Sequence, residues 1–258
     1  MPIRAVLWDV DDTLFDYAGS DRTGALRHIE AEGLLARHPS PEAALERWQV
    51  VMDEQFARFL SRELSFPDHR RERARQFLGE PLTDAAADEW FGRYVALYEE
   101  AWTLFADAVP ALDALTPAYR HGILSNSAVR NQDRKLTRLG IRDRFEVLRC
   151  ADELGCAKPD AAAFHATCAA LGLPPEQVAY VGDHPDLDAR GAEAAGLLGI
   201  WLDRSGAGER ARAGDAAGGG DPAGGSHPAG GGDGLRRITG LAELPRLLRA
   251  YEAGTGRQ

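Results

Sequence analysis

The sequence predicts an α/β fold in which a doubly wound parallel sheet forms the core and a helical lobe is inserted into it. Two observations predict this fold. After residue 127, short apolar segments rich in β-formers alternate with helical segments, as in a parallel sheet with helices on both faces. Before that point, roughly 100 residues of helical character separate the first strand from the second, which is too long for one crossover connection.

The first strand and the lobe define the expected domains. Residues 3–8 (IRAVLW) predict a buried strand because they are few, mostly apolar and rich in β-formers. The next comparable segment is 119–127 (YRHGILSNS), and the segments between the two have helical patterns. We therefore expect a helical lobe over residues 15–104 and a core made of residues 1–14 and 105–258.

The rest of the core follows as strands and helices in alternation. The expected elements are helix 129–139, strand 144–150, helix 159–172, strand 177–183, helix 187–196, strand 197–203 and a closing helix at 241–254.

Residues 205–234 interrupt this alternation. Twelve of these thirty residues are Gly, and none is Leu, Ile, Val or aromatic. Such a segment cannot bury enough apolar surface to offset its ordering entropy, so we expect a disordered loop. Residues 206–211 match the dinucleotide-binding pattern G-x-G-x-x-A, but the glycines that follow do not predict the helix that this motif requires.

The composition excludes some classes of function. The net charge of −10 and the sequence pI of about 5.2 argue against a nucleic-acid partner, which would require a basic face. No apolar run approaches the roughly 18 residues of a membrane span, so we expect no membrane partner. Cys150, Cys156 and Cys168 include no C-x-x-C pair and indicate reduced thiols in a cytoplasmic protein.

Polar side chains follow several of the predicted strands. They are Asp9 and Asp11 after the first strand, Ser125 and Asn126 at the end of the second, Asp183 at the end of strand 177–183, and Lys158, which we expect to open the helix at 159–172. Because ligands bind at the carboxyl ends of parallel strands, we expect these groups to meet at one edge of the sheet. Asp9 and Asp11 are two residues apart, so strand alternation would point both into one pocket.

The expected cluster predicts a cation and a phosphoryl group. Asp9, Asp11 and Asp183 would repel one another without a cation, and an all-oxygen ligand set suits Mg²⁺. A helix N-terminus near Lys158 adds positive charge, and Ser125 adds a hydroxyl donor. A metal, an ammonium and donors around a carboxylate describe a site for phosphoryl chemistry.

Four segments in order, DVDDT, ILSN, AKPD and YVGDHPDLD, resemble the motifs of the haloacid dehalogenase-like superfamily of phosphohydrolases. The resemblance covers the whole chain apart from the helical lobe and the Gly-rich tract, where only the general character matches. It implies a Rossmann-like core, and the position of the lobe resembles the helical-cap phosphatase subclass of that superfamily.

The resemblance implies roles for the acidic residues. Asp9 would be the nucleophile that attacks phosphorus, and Asp11 would protonate the leaving oxygen and then activate water. Asp9, Asp183 and the backbone carbonyl of Asp11 would hold Mg²⁺. Asp188 would orient Lys158.

The resemblance also implies roles for the phosphate-binding and supporting residues. Ser125 and Asn126 would bind phosphate oxygens, and Lys158 would neutralise the nucleophile and the phosphate. Thr13 would hold the first loop. A carboxylate can attack a phosphate dianion only if neighbouring cations reduce the repulsion, which agrees with these roles.

The function implied is Mg²⁺-dependent hydrolysis of a small phosphate monoester through an aspartyl-phosphate intermediate. A sugar phosphate or a nucleoside monophosphate would be the substrate. A phosphomutase on the same core stays open, because it differs only in whether water or substrate takes the phosphoryl group. Asp11 and Asp183 disfavour dehalogenation, and a catalytically silent binding member would have lost the nucleophile, the acid or the lysine.

Overall fold

The computed structural model describes residues 2–61, 63–205 and 234–255. The chain divides into two compact units. Met1–Asp16 and Leu104–Gln258 together form the first, which we call the α/β unit, and Tyr17–Thr103 form the second, which we call the helical unit.

The sheet of the α/β unit contains six parallel strands within the described residues. They are β1 (Ala5–Trp8), β2 (Arg120–Ser125), β3 (Val147–Cys150), β4 (Val178–Gly182), β5 (Leu198–Leu202) and β6 (Arg236–Ile238). Their order is β3-β2-β1-β4-β5-β6, in which the direction of winding reverses beside β1. The predicted doubly wound α/β fold is confirmed.

The described part of the helical unit contains four α-helices: α1 (Tyr17–Ala31), α2 (Pro41–Leu60), α3 (Phe66–Leu78) and α4 (Asp84–Glu100). The hydroxyls of Ser40, Ser65 and Thr83 each accept the backbone N–H three residues ahead, which caps α2, α3 and α4. The core of this unit is rich in aromatic rings, including those of Trp48 and Trp90.

Within its described residues, the α/β unit has six further α-helices. They are α5 (Ala108–Leu115), α6 (Val129–Arg138), α7 (Ala151–Leu154), α8 (Ala161–Leu171), α9 (Gly191–Ala194), which follows a π-helical segment at Pro185–Arg190, and α10 (Leu244–Thr255). The sequence did not predict α5 or β6. Pro110 lies in the first turn of α5, and β6 is three residues long with two arginines, so neither has a strong pattern.

The register of the central strands brings their carboxyl ends together. Trp8, the last residue of β1, pairs with Ile123 of β2 on one side and with Val181 of β4 on the other. The backbone N–H of Asp9 continues this pairing by donating to the carbonyl of Val181 at 2.9 Å. The residues that follow β1, β2 and β4 therefore begin at the same edge of the sheet.

Two sequence predictions, the Gly-rich loop and the absence of a membrane span, can be compared with the structure only in part. The expected Gly-rich loop and its G-x-G-x-x-A match lie outside the described residues, except for Ser205 and Gly234. In the part of the chain that is described, no helix has both the length and the apolar character needed to span a membrane.

Candidate active site

The loop after β1 sets the positions of Asp9 and Asp11, and the Asp11 charge acts on the Asp9 carboxyl group. The Val10 carbonyl accepts the N–H groups of Leu14 and Phe15 at 3.0 and 2.9 Å, and Asp12 adopts a left-handed conformation with φ of 55°. The chain therefore turns tightly directly after Asp9. The expectation that strand alternation continues through Asp11 is wrong, because β1 ends at Trp8.

Lys158 lies at the centre of the buried cluster. Its Nζ donates to Asp9 Oδ1 at 2.7 Å, to Asp188 Oδ1 at 2.7 Å and to the Tyr180 hydroxyl at 2.8 Å. The Tyr180 hydroxyl in turn donates to the carbonyl of Leu124 at 2.9 Å. All three protons of the ammonium therefore have acceptors, which fixes its position against Asp9.

The backbone of Lys158 is held by Asn126. The Lys158 N–H donates to Asn126 Oδ1 at 2.7 Å, and Asn126 Nδ2 donates to the Lys158 carbonyl at 2.9 Å. Helix α8 begins only at Ala161, with Asp160 as its N-cap, so Lys158 lies in the preceding loop and does not open the helix as expected. Asn126 thus positions the lysine, and its contact with phosphate stays a prediction.

Three carboxylates lie close together here, and two of them, Asp9 and Asp188, contact this ammonium. Oxygens of Asp9, Asp183 and Asp188 lie within 4.8 Å of one another. Burial raises the pKa of Asp9 to about 7, although the Lys158 charge acts in the opposite direction. Burial, and then the charges of Asp9 and Asp188, raise the pKa of Asp183 to about 8. The cluster therefore contains more negative charge than one lysine can balance.

The donor set fits a hard divalent cation. Both oxygens of Asp188 already accept hydrogen bonds, one from Lys158 and the other from the His184 N–H at 2.9 Å. Asp9 and Asp183 are then the carboxylates whose repulsion a cation would relieve, and oxygen ligands suit Mg²⁺. The Asp11 carboxylate is not part of this cluster, so any contribution from Asp11 falls to its backbone carbonyl.

The side chain of Asp11 contacts helix α6 instead. Lys135 Nζ forms an ion pair with Asp11 Oδ1, and Gln132 Nε2 donates to Asp11 Oδ2 at 2.7 Å. Gln132 Nε2 also donates to Ser125 Oγ at 3.1 Å. Sequence reasoning missed Gln132 and Lys135, although Lys135 is one of only two lysines in the chain.

Other groups support the loops at this edge. Thr13 is buried, and its hydroxyl lies 3.5 Å from Asp9 Oδ2, while its carbonyl accepts from Arg204 Nη2 at 2.8 Å. The Trp201 indole N–H donates to the Asp183 carbonyl at 2.9 Å. Tyr180, Trp201 and Arg204 were not predicted.

Comparisons with known proteins identify the family. A family model described as haloacid dehalogenase-like hydrolase matches residues 3–196. The phosphoserine phosphatase of Thermus thermophilus is 32% identical over 182 residues, which are 70% of this chain and 66% of that protein, just under two thirds of its length. The glyceraldehyde 3-phosphate phosphatase of Methanopyrus kandleri is 29% identical over 209 residues, 78% of this chain and 84% of that protein.

A solved structure shows the same fold. The HAD-hydrolase YfnB from Bacillus subtilis, in a magnesium-bound crystal form, superposes with a TM-score of 0.71 at 19% identity and covers 96% of this chain and 99% of its own. The resemblance seen in the sequence motifs is confirmed. This chain belongs to the haloacid dehalogenase-like hydrolase family, as one of its phosphatase-type enzymes.

Proposed function

We propose that this enzyme hydrolyses small phosphate monoesters in the presence of Mg²⁺, by way of a phosphorylated Asp9. The observation that carries the proposal is the buried arrangement of Asp9 against Lys158, with Asp183 and Asp188 beside them. A nucleophilic carboxylate with a fixed ammonium and excess negative charge around it suits attack on a phosphoryl group that arrives with a cation.

In the first step, Asp9 attacks phosphorus and the bond to the leaving oxygen breaks. Asp11 gives its proton to that oxygen, so that an alcohol leaves and the phosphoryl group stays on Asp9. Lys158 neutralises charge on Asp9 and on the phosphate, Ser125 donates a hydrogen bond to a phosphate oxygen, and Asn126 holds Lys158 in place.

In the second step, Asp11 acts as a base. It takes a proton from a water molecule that attacks phosphorus, the bond to Asp9 breaks, and inorganic phosphate leaves. A mutase would differ here, because a substrate hydroxyl would take the place of water.

Mg²⁺ would be held by Asp9, Asp183 and the Asp11 carbonyl. When bound, it supplies positive charge that reduces the repulsion between the nucleophile and the phosphate. Support comes from the raised pKa values of Asp9 and Asp183 and from the magnesium-bound relative YfnB.

The substrate is proposed as a class. The two curated relatives act, by their names, on phosphoserine and on glyceraldehyde 3-phosphate, so a small phosphorylated metabolite such as a sugar phosphate or nucleoside monophosphate is favoured. We assign its selection to the helical unit as a cap. The three free cysteines support a cytoplasmic location.

The test is hydrolysis of p-nitrophenyl phosphate with Mg²⁺, with EDTA and with Ca²⁺. We expect turnover with Mg²⁺, none with EDTA and little with Ca²⁺, because calcium favours more ligands and longer bonds. Full activity in EDTA would contradict the proposal. A panel of phosphate esters, scored for free phosphate against an isomerised ester, would identify the substrate and separate hydrolase from mutase.

A further inference from the structure

Helix α6 presents two buried polar side chains that the proposed mechanism does not use. Gln132 and Lys135 are three residues apart and so lie on one face of the helix. Gln132 is fully buried and Lys135 is 6% exposed. A buried lysine is costly unless it is paired, and here the partner is the Asp11 carboxylate.

These two side chains hold both oxygens of Asp11. Lys135 pairs with Oδ1, and Gln132 donates to Oδ2 at 2.7 Å. The Lys135 ammonium also lies 4.2 Å from the centre of the buried Phe15 ring, which limits its movement. The Asp11 carboxylate therefore has one orientation, set by α6, and this support is separate from the one that Lys158 gives to Asp9.

Gln132 also orients Ser125. Because Gln132 Nε2 donates to Ser125 Oγ at 3.1 Å, the serine oxygen acts as the acceptor in that bond. The hydroxyl proton of Ser125 is then directed away from Gln132 and can be given to another acceptor. One glutamine amide thus links the hydroxyl proposed to bind phosphate with the carboxyl group proposed to transfer protons.

Stability alone does not account for Gln132. Its carbonyl oxygen Oε1 is buried without a hydrogen-bond partner among the described residues, which costs free energy that an apolar side chain would not. The placement of the lysines also favours a role in the site. The chain has 28 arginines and two lysines, and both lysines pair with aspartates of the DVD segment, Lys135 with Asp11 and Lys158 with Asp9.

We propose that Gln132 and Lys135 are positioning residues that aim the Asp11 carboxyl group for its proton transfers, an inference that rests on the proposed function. Without them Asp11 keeps its place in the chain but loses its fixed orientation. Protonation of the leaving oxygen should then suffer most for substrates whose leaving group is most basic.

The test compares phenyl phosphate with p-nitrophenyl phosphate, which are similar in shape and differ in the basicity of the leaving oxygen. We expect Lys135→Met to lower kcat/KM for phenyl phosphate by about 10²-fold. For p-nitrophenyl phosphate, the loss should be about 10-fold or smaller. Gln132→Leu should change the ratio in the same direction, and Lys135→Arg should recover part of it. Arg134→Met, which removes an exposed cation from the same helix, should leave both values unchanged.

The outcomes separate this inference from the function on which it rests. Equal losses on the two substrates, or no loss in Lys135→Met, would overturn the positioning role while the wild type still turns over both. A wild type with no Mg²⁺-dependent turnover of either ester would overturn the proposed function and this inference together. If Lys135→Met does not fold, as judged by circular dichroism, the ratio measured for Gln132→Leu decides.

Discussion

The α/β unit and the helical unit both bury charged side chains, and they surround them differently. In the α/β unit, the Lys158 ammonium directs its three protons to oxygens of Asp9, Tyr180 and Asp188 at 2.7–2.8 Å. Each contact is directional, and each acceptor belongs to a different element or loop. The charge is held in one place.

In the helical unit, aromatic rings surround the buried cation, and the nearby buried acid, Asp21, accepts from the Tyr94 hydroxyl and feels the Arg73 charge without a hydrogen bond to it. The Arg73 guanidinium lies 4.8 Å from the centre of the Phe91 ring and 5.4 Å from that of Trp48, and its Nη2 is buried with no hydrogen-bond partner among the described residues. His28 is fully buried 4.4 Å from the Trp90 ring, and both of its ring nitrogens likewise have no partner in the described part of the chain.

The two units differ in how precisely they position a buried charged group. Directional bonds to a buried charge fix atoms to within a fraction of an ångström, as phosphoryl transfer requires. Aromatic packing around a cation gives attraction without such direction. Removing a buried group should therefore cost most in the α/β unit.

The largest effect should come from Asp9→Asn. A neutral amide is a poor nucleophile, so we expect turnover to fall by roughly 10⁴-fold or more, with no phosphoryl mass on the intact protein after rapid quenching. The melting temperature should hold or rise, because one of three crowded carboxylates is removed. Asp113→Asn, which loses an exposed ion pair to Arg144, is the control and should keep full activity. Normal turnover in Asp9→Asn would refute the assignment of the nucleophile.

The next effect compares the two buried cations directly. Lys158→Met leaves Asp9 and Asp188 buried without their cation, and breaking such a pair costs about 3–5 kcal/mol of unfolding free energy. Arg73→Met removes a cation that has no hydrogen-bonded acid among the described residues, although its charge acts on the buried Asp21, so we expect a smaller loss than in Lys158→Met. Urea denaturation of both variants measures the two values. Similar losses would show that aromatic packing holds a charge as firmly as hydrogen bonds do.

The location of the α/β site follows from principles that a sequence carries. The carboxyl ends of parallel strands lie at one edge of the sheet, so the proximity of Asp9, Asp183 and Lys158 could be predicted from the sequence. The path of the chain after Trp8 could not be predicted. The turn depends on Asp12 in a left-handed conformation, which residues other than glycine adopt only rarely.

The side chains within strands and helices that bind Lys158 and Asp11 could not be predicted either. Tyr180 stands within the apolar strand β4, and Gln132 and Lys135 stand within α6, where their pattern is that of an ordinary amphipathic helix. Only the distances show that their polar ends reach Lys158 and Asp11. In the helical unit, the sequence indicated helices, but not which polar groups the aromatic core encloses.

A smaller effect concerns pH and metal. The pKa values of Asp9 and Asp183, about 7 and about 8, lie above those of unfolded aspartate, so the folded state binds more protons than the unfolded state. In EDTA, the unfolding free energy should therefore fall as pH rises from about 6.5 to 8. Mg²⁺ binds the deprotonated carboxylates and should restore about 2.7 kcal/mol at a hundredfold excess over its Kd.

Melting temperatures at pH 6.5 and 8, with and without Mg²⁺, measure this effect. The stabilisation by Mg²⁺ should be larger at pH 8, where fewer protons compete for Asp9 and Asp183. In Asp9→Asn most of the pH dependence and most of the metal effect should disappear. A metal-free protein that becomes more stable over this range of pH would contradict the account of the cluster.

The smallest effect, and the sharpest comparison, uses two buried histidines, one from each unit. His28 and His121 are both inaccessible or nearly so, and burial lowers the pKa of each to about 4. His121 Nδ1 accepts from the Trp8 indole N–H at 3.1 Å, so its neutral ring carries the proton on Nε2, 3.3 Å from the Thr116 hydroxyl.

Leucine substitution should therefore change the two sites in opposite directions. His121→Leu leaves the buried Trp8 N–H without an acceptor, and we expect a loss of about 1–3 kcal/mol. His28→Leu removes two nitrogens that have no partner among the described residues, so unfolding free energy should stay level or rise by about 1 kcal/mol. A histidine with a lowered pKa contributes stability above about pH 6.5, and that contribution is lost as pH falls toward 4. Each leucine variant lacks this histidine. Its unfolding free energy should therefore fall less between pH 7 and pH 5 than that of the wild type. Urea denaturation at pH 7 and pH 5 gives both quantities. Equal losses at the two sites would mean that the rings around His28 satisfy its nitrogens as well as Trp8 and Thr116 satisfy those of His121, and the contrast between the two units would fail.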